Sequence, residues 1–327
     1  MITYIIRRSL YGVLILIGVN LATFFLFFTV NTPDDMARMN IGGKRVTQEL
    51  IDNWKVERGY DKPLYWNPGG QGAEKLTNTI FWDRSVSLFT LNFGRADSES
   101  AGDIGHEVSS RMWVSIQLAL PIFLLQVIAS TAFALLLVMF RNTRLDLAGV
   151  VLCVLMLSIS SLFYIIVGQY LFSRVLKLVP ISGYATGLDV VRFLILPVLL
   201  SALARLGTEA RLYRAMFLEE VGKDYVRTAR AKGMTEKMVL FRHVMRNAMI
   251  PILTNIALSL PGVFVGSFLI EVFFSIPGLG REIILAVNRS DYPVIQAVAI
   301  YLAVLTMLIN LGADVLYKLT DPRVVLK

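Results

Sequence analysis

The sequence predicts an all-α integral membrane protein with six transmembrane helices and both termini in the cytoplasm. Hydrophobic residues make up 55% of the 327 residues and charged residues only 17%, more apolar surface than one soluble core would hold. The apolar residues fall in six long runs, and Lys and Arg are concentrated in alternate connections between those runs. A lipid bilayer is therefore the expected environment of most of the chain.

The first run supplies the first transmembrane helix. No charged residue occurs between Ser9 and Val30, and about 20 apolar residues suffice to cross a hydrocarbon core of about 30 Å. Arg7 and Arg8 precede the run, as in a secretory signal. The run is too long for such a signal and no small-residue cleavage pattern follows it. We interpret residues 1–30 as a cytoplasmic N-terminus and a retained first helix.

Residues 31–112 are polar and contain several Gly and Pro residues, which predicts a large external, periplasmic loop between helices 1 and 2. This loop contains no cysteine, so we expect packing rather than disulfides to hold it. The one cysteine of the chain, Cys153, lies in an apolar run, where a packing role is expected.

Five further runs predict the remaining spans in residues 113–327. They cover residues 113–140, 147–172, 193–213, 249–276 and 294–317. Arg205 and Glu209 interrupt the fourth run, so this helix either ends near Leu203 or continues as a helix that protrudes into the cytoplasm. The short connections at 141–146 and 205–247 and the two termini hold far more Lys and Arg than those at 173–192 and 277–293. This bias places both termini inside.

The predicted cytoplasmic segment, residues 214–248, is the most informative part of the chain. A short helix is expected with Asp224 as its N-cap and Gly233 in the left-handed conformation that ends a helix. A second helix is expected to begin at Thr235 and to run towards Pro251.

Two stripes follow from helical spacing on the first of these helices. One is basic (Lys223, Arg227 and Arg230) and the other is small and apolar (Val226, Ala229 and Gly233). Such a helix could lie across a groove in a partner, with the small stripe allowing close approach and the charges setting the register. A solvated loop that is basic only to set the topology is the alternative interpretation.

The order of residues from Asp224 to Gly233 carries more information than its composition. Together with Arg242-His243 and Arg246-Asn247-Ala248 before Pro251, it resembles the cytoplasmic loop of dipeptide and oligopeptide permeases of the ATP-binding-cassette (ABC) importers, in the first-permease (B-type) branch of the peptide/nickel family. The resemblance implies that this loop is the coupling helix that docks on an ATPase subunit. The contact residues it implies are Asp224, Tyr225, Val226, Arg227, Thr228, Ala229, Arg230, Ala231, Lys232 and Gly233.

Other parts of the chain are similar to the same family. These are the basic start at 1–8, residues 61–64 and 92–95 in the external loop, and residues 271–280 at the end of the fifth run. The stretch between Pro63 and Phe93 departs from the family's pattern, so it carries no information on cargo. The resemblance implies a type I ABC importer permease fold in the bacterial inner membrane, with peptides as cargo. Nickel chelates and oligosaccharides are the alternative cargoes.

The resemblance also implies a set of partners. These are a homologous second permease subunit, two cytoplasmic ABC ATPase subunits that bind ATP and magnesium, and an external substrate-binding protein. No phosphate-loop motif occurs in this chain, which places ATP hydrolysis on another chain. The net charge of +8 forms no continuous basic face, so nucleic acid is not an expected partner. The two histidines, His106 and His243, lack metal-site spacing, and no metal is expected.

Three polar residues of the fifth run are candidates for the translocation path. Glu271 is the one acidic residue expected deep in a span, where it could contact substrate, gate the path, pair with a partner subunit or make a structural hydrogen bond. Asn255 and Ser259 make this run polar enough to line a cavity. A secondary transporter or channel, and a membrane-anchored sensory protein with residues 31–112 as its working domain, are the rival classes.

Overall fold

The computed structural model describes residues 2–42, 46–90, 96–97 and 103–320, and the regular elements within them are helical. The chain divides into two compact units. The first unit comprises Met1–Trp113 with Gly278–Leu308, and the second comprises Val114–Pro277 with Ile309–Lys327. The family-like stretch at 92–95 lies outside the described residues.

The first unit contains long apolar helices and a set of short helices from the predicted external loop. Its elements are α1 (Ile2–Val30), α2 (Pro33–Ile41), α3 (Gln48–Arg58), α4 (Glu74–Thr77), a π-helical turn (Trp82–Val86), a 3-10 turn (Ser87–Thr90), the start of α5 (Ile104–Met139), α12 (Leu279–Asn288) and most of α13 (Tyr292–Thr320). Helix α2 begins with a capping box between Thr32 and Asp35, and Gly59, at φ 74°, ends α3.

Apolar packing holds the described part of the external loop. Trp54 stacks on Tyr60 with ring centroids 5.3 Å apart, and both belong to one buried cluster. That cluster also contains Phe24 of α1 and Tyr292 of α13. The described part of the loop therefore shares this core with two long helices and does not pack around a core of its own, which argues against the sensory-domain interpretation.

A buried polar network lies beside this core. The hydroxyl of Tyr60 donates to the Asp97 carboxylate at 2.6 Å, and Arg84 lies 3.4 Å from the same carboxylate. The backbone N–H of Asp97 donates to the side chain of Asp291 at 3.2 Å. Burial of Asp97 raises its pKa to about 6, although Arg84 opposes the shift.

The second unit contains the rest of α5 and α13 and the helices between them. Its elements are α6 (Arg144–Ser158), α7 (Ser161–Gly168), a π-helical segment (Gln169–Val175), a 3-10 turn (Gly187–Asp189), α8 (Val190–Val221), α9 (Asp224–Ala231), α10 (Glu236–Val239), a π-helical turn (Leu240–Val244) and α11 (Met245–Phe273). Cys153 is fully buried beside Leu137 and Ala210, which confirms its packing role.

Within the described residues, four helices are long and apolar enough to cross a membrane, and two bent helix pairs bring the total to six if each pair forms one span. The long helices contain Tyr4–Val30, Ile104–Met139, Gly187–Val221 and Tyr292–Val315. The fourth run continues as helix to Val221, so of the two alternatives for this run the longer helix is the one observed. The pair at the fifth run bends by 47°.

The third run differs most from its prediction as one apolar span. It forms two arms, Arg144–Ser158 and Ser161–Val175, that meet at 92°. Ile159 is extended between them, and the Ser160 side chain accepts a hydrogen bond from the N–H of Leu162, which starts the second arm. Hydropathy does not detect the break because both arms are apolar.

Candidate functional site

The candidate coupling segment, residues 214–248, begins on helix α8, which is bonded to its neighbour α6. Arg214 on α8 makes two hydrogen bonds to the carboxylate of Asp146 in the first turn of α6, at 2.9 and 2.8 Å. The planar guanidinium and the carboxylate match in this two-point geometry, which fixes orientation as well as distance. Asp146 is also a buried residue. The pair therefore fixes α8 relative to α6 at Arg214, the first residue of the segment.

The first end of α9 differs by one residue from the sequence prediction. Lys223, with an extended backbone at φ −72° and ψ 153°, occupies the N-cap position, and its carbonyl accepts from the N–H groups of Val226 and Arg227. Asp224 is the first residue inside the helix, so its prediction as the N-cap is wrong. Its negative charge in the first turn still favours the helix, because free N–H groups point towards it.

The other end of α9 agrees with the prediction. Gly233 has φ 78°, the left-handed conformation, and its N–H donates to the carbonyl of Arg230 at 2.9 Å. Thr235 then caps α10, its side chain accepting from the N–H of Met238 at 3.4 Å. The chain runs on through α10 and the π-helical turn into α11, which confirms a second helix that begins at Thr235.

One face of α9 is buried in its own chain. Val226 is fully buried and Ala229 is 4% exposed, and both belong to a cluster with residues of α8, α10 and the following π-helical turn, including Phe217, Val221 and Val239. The prediction that these small side chains form a surface for a partner is therefore wrong. A partner can reach only the opposite face.

The accessible face of α9 is small, polar and mixed in charge. Its exposed members are Asp224, Tyr225, Arg227, Thr228, Ala231, Lys232 and Gly233. The expected basic stripe is compensated by acidic neighbours, since Lys223 lies 3.4 Å from Glu219 and Arg227 lies 3.6 Å from Asp224. Both of these pairs are solvent-exposed and contribute little to stability.

Two side-chain contacts hold α9 at a defined angle. Arg230 makes two bonds to Glu236 of α10, at 2.7 and 3.2 Å, so the turn at Gly233 is bridged by a bidentate ion pair. The hydroxyl of Tyr225 donates to the carboxylate of Glu220 on α8. Burial and the Glu220 carboxylate raise the pKa of Tyr225 to about 12, so the phenol stays protonated and keeps donating well into the alkaline range.

The structure places the candidate path residues in different environments. Glu271 is fully buried and accepts a hydrogen bond from the Ser115 hydroxyl on α5 at 2.8 Å, with Ser267 at 3.4 Å. Ser259 donates to its own helix, to the carbonyl of Ile256 at 3.0 Å. The side-chain oxygen of Asn255 is buried and has no hydrogen-bond partner within the part of the chain that the structure describes.

Sequence reasoning missed a polar stripe on α5. Gln126 and Ser130 are almost fully buried, and their side-chain oxygens, with that of Thr131, have no hydrogen-bond partner among the described residues. Buried polar groups without partners are costly in an apolar span. The i, i+4 spacing of Gln126 and Ser130 within the second run was the available signal.

Comparisons with known proteins cover nearly the whole chain. The family described as "Binding-protein-dependent transport system inner membrane component" matches residues 109–326, and the family of the N-terminal part of such membrane components matches residues 1–86. The chain is 32% identical to the "Putative peptide transport system permease protein" of Brucella suis biovar 1 (strain 1330), with 99% of each chain covered.

Two further relatives match over 99% of each chain as well. They are the di/tripeptide transport system permease protein DppB of Pseudomonas aeruginosa (strain UCBPP-PA14), 31% identical, and the glutathione transport system permease protein GsiC of Escherichia coli O6:H1, 31% identical. These matches confirm the resemblance seen in the residues. The chain belongs to the family of inner-membrane components of binding-protein-dependent transport systems.

Proposed function

We propose that this chain is one permease half of an ATP-driven importer for peptides or peptide-like solutes. A homologous second permease completes the translocation path, two cytoplasmic ABC ATPases bind ATP and magnesium, and an external substrate-binding protein delivers the cargo. Family membership and the peptide or glutathione transport of the related permeases support this proposal. The catalytic step takes place on the ATPases, so this chain is not itself an enzyme.

The proposed topology has six spans with both termini in the cytoplasm and residues 31–112 outside. The count follows if each bent helix pair is one span. The distribution of Lys and Arg over the short connections supports the orientation. In this topology residues 214–248 lie in the cytoplasm, on the side where ATP is available.

The single observation that carries the mechanism is the two-faced character of α9. Its inner face, with Val226 and Ala229, is buried in the core of the second unit, while Thr228 and Ala231 are exposed on the outer face. The Arg230–Glu236 pair bridges the turn that follows. A helix held in this way transmits a push on its outer face to α8 and α11 without unwinding, because both flanks are packed.

We propose that closure of the ATPases on ATP moves α9 as a rigid lever and switches the path between inward and outward access. Asn255 and Ser259 on α11 contribute polar groups to that path. Glu271, bonded to Ser115, ties α11 to α5 and keeps the wall of the path in place. Of the roles that the sequence left open for Glu271, the structural one has this contact in its support.

The test combines uptake of a labelled dipeptide with co-purification of the ATPase subunits. The variants are Thr228→Glu and Ala231→Glu, which add a negative charge to the exposed face of α9. Asn53→Glu, an exposed neutral-to-acid change on α3, is the matched control. We expect both α9 variants to reach the membrane normally, to lose ATPase association and to lose most uptake, while the control keeps both.

Two results would overturn the proposal. Full uptake and ATPase association in both α9 variants would remove the coupling role of this helix. Uptake by wild type that persists without ATP, and that instead follows an ion gradient, would favour the secondary-transporter interpretation.

A further inference from the structure

The connection between the third and fourth runs contains an unexpected concentration of positive charge. Residues 173–192 include three basic residues, Arg174, Lys177 and Arg192, and one acidic residue, Asp189. All three basic residues line one cavity of about 600 Å³, and Asp189 does not line it. None of the three forms an ion pair within the described residues, and the remaining lining residues are Ser173 and apolar side chains.

The loop that carries these charges is held by several hydrogen bonds. The Ser173 hydroxyl donates to the carbonyl of Pro180 at 3.2 Å. The side-chain amide of Gln169 donates both to the carbonyl of Ile181 at 3.0 Å and to that of Phe273 on α11 at 3.1 Å. These bonds hold the backbone at Pro180 and Ile181, two of the residues that line the cavity.

Exposed apolar side chains occur among the residues that line the cavity and beside them in the chain. Leu178 and Ile181, two of the lining residues, are more than half exposed, as are Val175 and Val191, and Leu188 is 93% exposed. In water such a surface would be unfavourable. At the edge of a bilayer the apolar side chains contact acyl chains while neighbouring Lys and Arg reach the headgroups.

The positive-inside rule does not explain these charges. In the topology proposed above, the loop lies on the external side, where Lys and Arg are depleted. Three cations in one external cavity, without carboxylates to neutralise them, instead match a negatively charged ligand. The ligand must also contact the exposed apolar side chains next to the cavity. A lipid has acyl chains for these contacts, whereas an acidic protein surface or a free anion has few apolar groups or none.

We propose that this cavity binds the phosphate of an anionic phospholipid. Arg174, Lys177 and Arg192 supply the positive charge, and Arg offers paired N–H donors that suit phosphate oxygens. The acyl chains lie along Leu178, Ile181 and the neighbouring exposed side chains. The bound lipid holds the connection between α7 and α8 at the membrane surface.

Native mass spectrometry of the purified chain in detergent tests the site. Phosphatidylglycerol is the probe, and phosphatidylcholine and inorganic phosphate are the comparison ligands. The test variant is Arg174→Gln with Arg192→Gln, and Arg174→Lys with Arg192→Lys preserves the charge. Arg38→Gln with Lys75→Gln removes the same charge from the external segment outside the cavity, so it serves as the matched control.

We expect wild type to retain phosphatidylglycerol in preference to phosphatidylcholine. The Gln variant should bind it about tenfold or more weakly, because each basic residue near a headgroup contributes on the order of 1 kcal/mol. The control should bind like wild type, and the Lys variant should bind more tightly than the Gln variant.

Three outcomes would overturn the proposal. Equal retention of phosphatidylglycerol by wild type and the Gln variant would show that the cavity does not hold the lipid. Displacement of the lipid by inorganic phosphate at similar concentration would indicate a simple anion site. Unchanged lipid retention together with loss of peptide uptake in the Gln variant would assign the charges to a soluble external partner.

Discussion

Two neighbouring alanines of α9 lie on opposite faces, and the same substitution at each should have opposite consequences. Ala229 is 4% exposed and packs in the core formed with α8 and α10, whereas Ala231 is exposed. We predict that Ala229→Glu destabilises the fold, and that Ala231→Glu leaves the fold intact but blocks ATPase association.

The magnitudes follow from the two environments. Glu at position 229 must bury a carboxylate without a partner or push α9 off its core, which costs about 3–5 kcal/mol. Glu at position 231 loses a few tenths of a kcal/mol in helix propensity and up to about 1 kcal/mol from its place near the helix C-terminus. The difference between the two variants is therefore several kcal/mol.

Thermal unfolding of the purified chains in detergent measures this difference. At an unfolding entropy of about 2 cal/mol/K per residue, a loss of about 3–5 kcal/mol lowers the Tm of this 327-residue chain by about 4–7 °C, whereas Ala231→Glu should shift Tm by about 2 °C or less. Asn53→Glu, on an exposed face of α3, controls for the added charge. If Ala229→Glu unfolds at the same temperature as Ala231→Glu, then the inner face of α9 is not buried in its own chain and α9 cannot act as a rigid lever.

Three further predictions concern backbone strain, pH and a buried hydrogen bond. Gly233→Ala should cost about 1 kcal/mol from the left-handed backbone at φ 78° alone, because no described residue meets the added Cβ within 4 Å. Gly233→Asn should cost less in the same Tm measurement, and equal values would contradict backbone strain as the cause. The pKa of Asp97 is about 6 in the folded protein, against an ordinary value of 3.8. Between these pH values the folded protein binds more protons than the unfolded chain. The free energy of unfolding should therefore fall as pH rises from about 4 to about 6, by at most about 1.4 kcal/mol per pH unit. Asp97→Asn keeps an acceptor for Tyr60 and should flatten this dependence of Tm on pH; an unchanged slope would assign it to other groups. Ser115→Ala removes a donor to the buried carboxylate of Glu271 and should lower the free energy of unfolding by about 1–3 kcal/mol. Ser109→Ala is the control and should be neutral, because the exposed Ser109 hydroxyl bonds only its own helix. Equal effects of the two substitutions would show that the Ser115–Glu271 contact has no structural role.

Local features of the sequence predicted local features of the structure. The apolar runs predicted the long helices because hydropathy over about 20 residues is enough to detect a span. Gly233 and Thr235 predicted the boundary between α9 and α10 because left-handed turns and N-caps involve only neighbouring residues. The 92° break at Ile159 and Ser160 was missed because its cause is a backbone turn between two equally apolar arms.

The sequence did not predict which face of a helix is buried, because burial depends on the elements packed against that face. The spacing of Val226 and Ala229 predicted a small apolar face for a partner protein, yet both residues pack against α8 and α10. Their spacing is the same in either case, so it does not show whether the face meets a partner or the protein's own core. In the same way, the sequence predicted Arg230 as part of a basic stripe, but in the structure Arg230 forms an ion pair with Glu236. Helical spacing states which residues share a face, and only the neighbouring elements decide what that face meets.

The sequence by itself determined that this is a helical membrane protein, to which family it belongs and where α9 ends, because hydropathy, motif order and the left-handed turn at Gly233 are local properties. Only the tertiary structure decided that the outer face of α9 is the one a partner can reach, that Glu271 meets Ser115, and that Arg174, Lys177 and Arg192 line one cavity. Ser115 and Glu271 lie 156 positions apart, and the burial of a helix face or the lining of a cavity depends on the elements packed beside it, which local sequence does not specify.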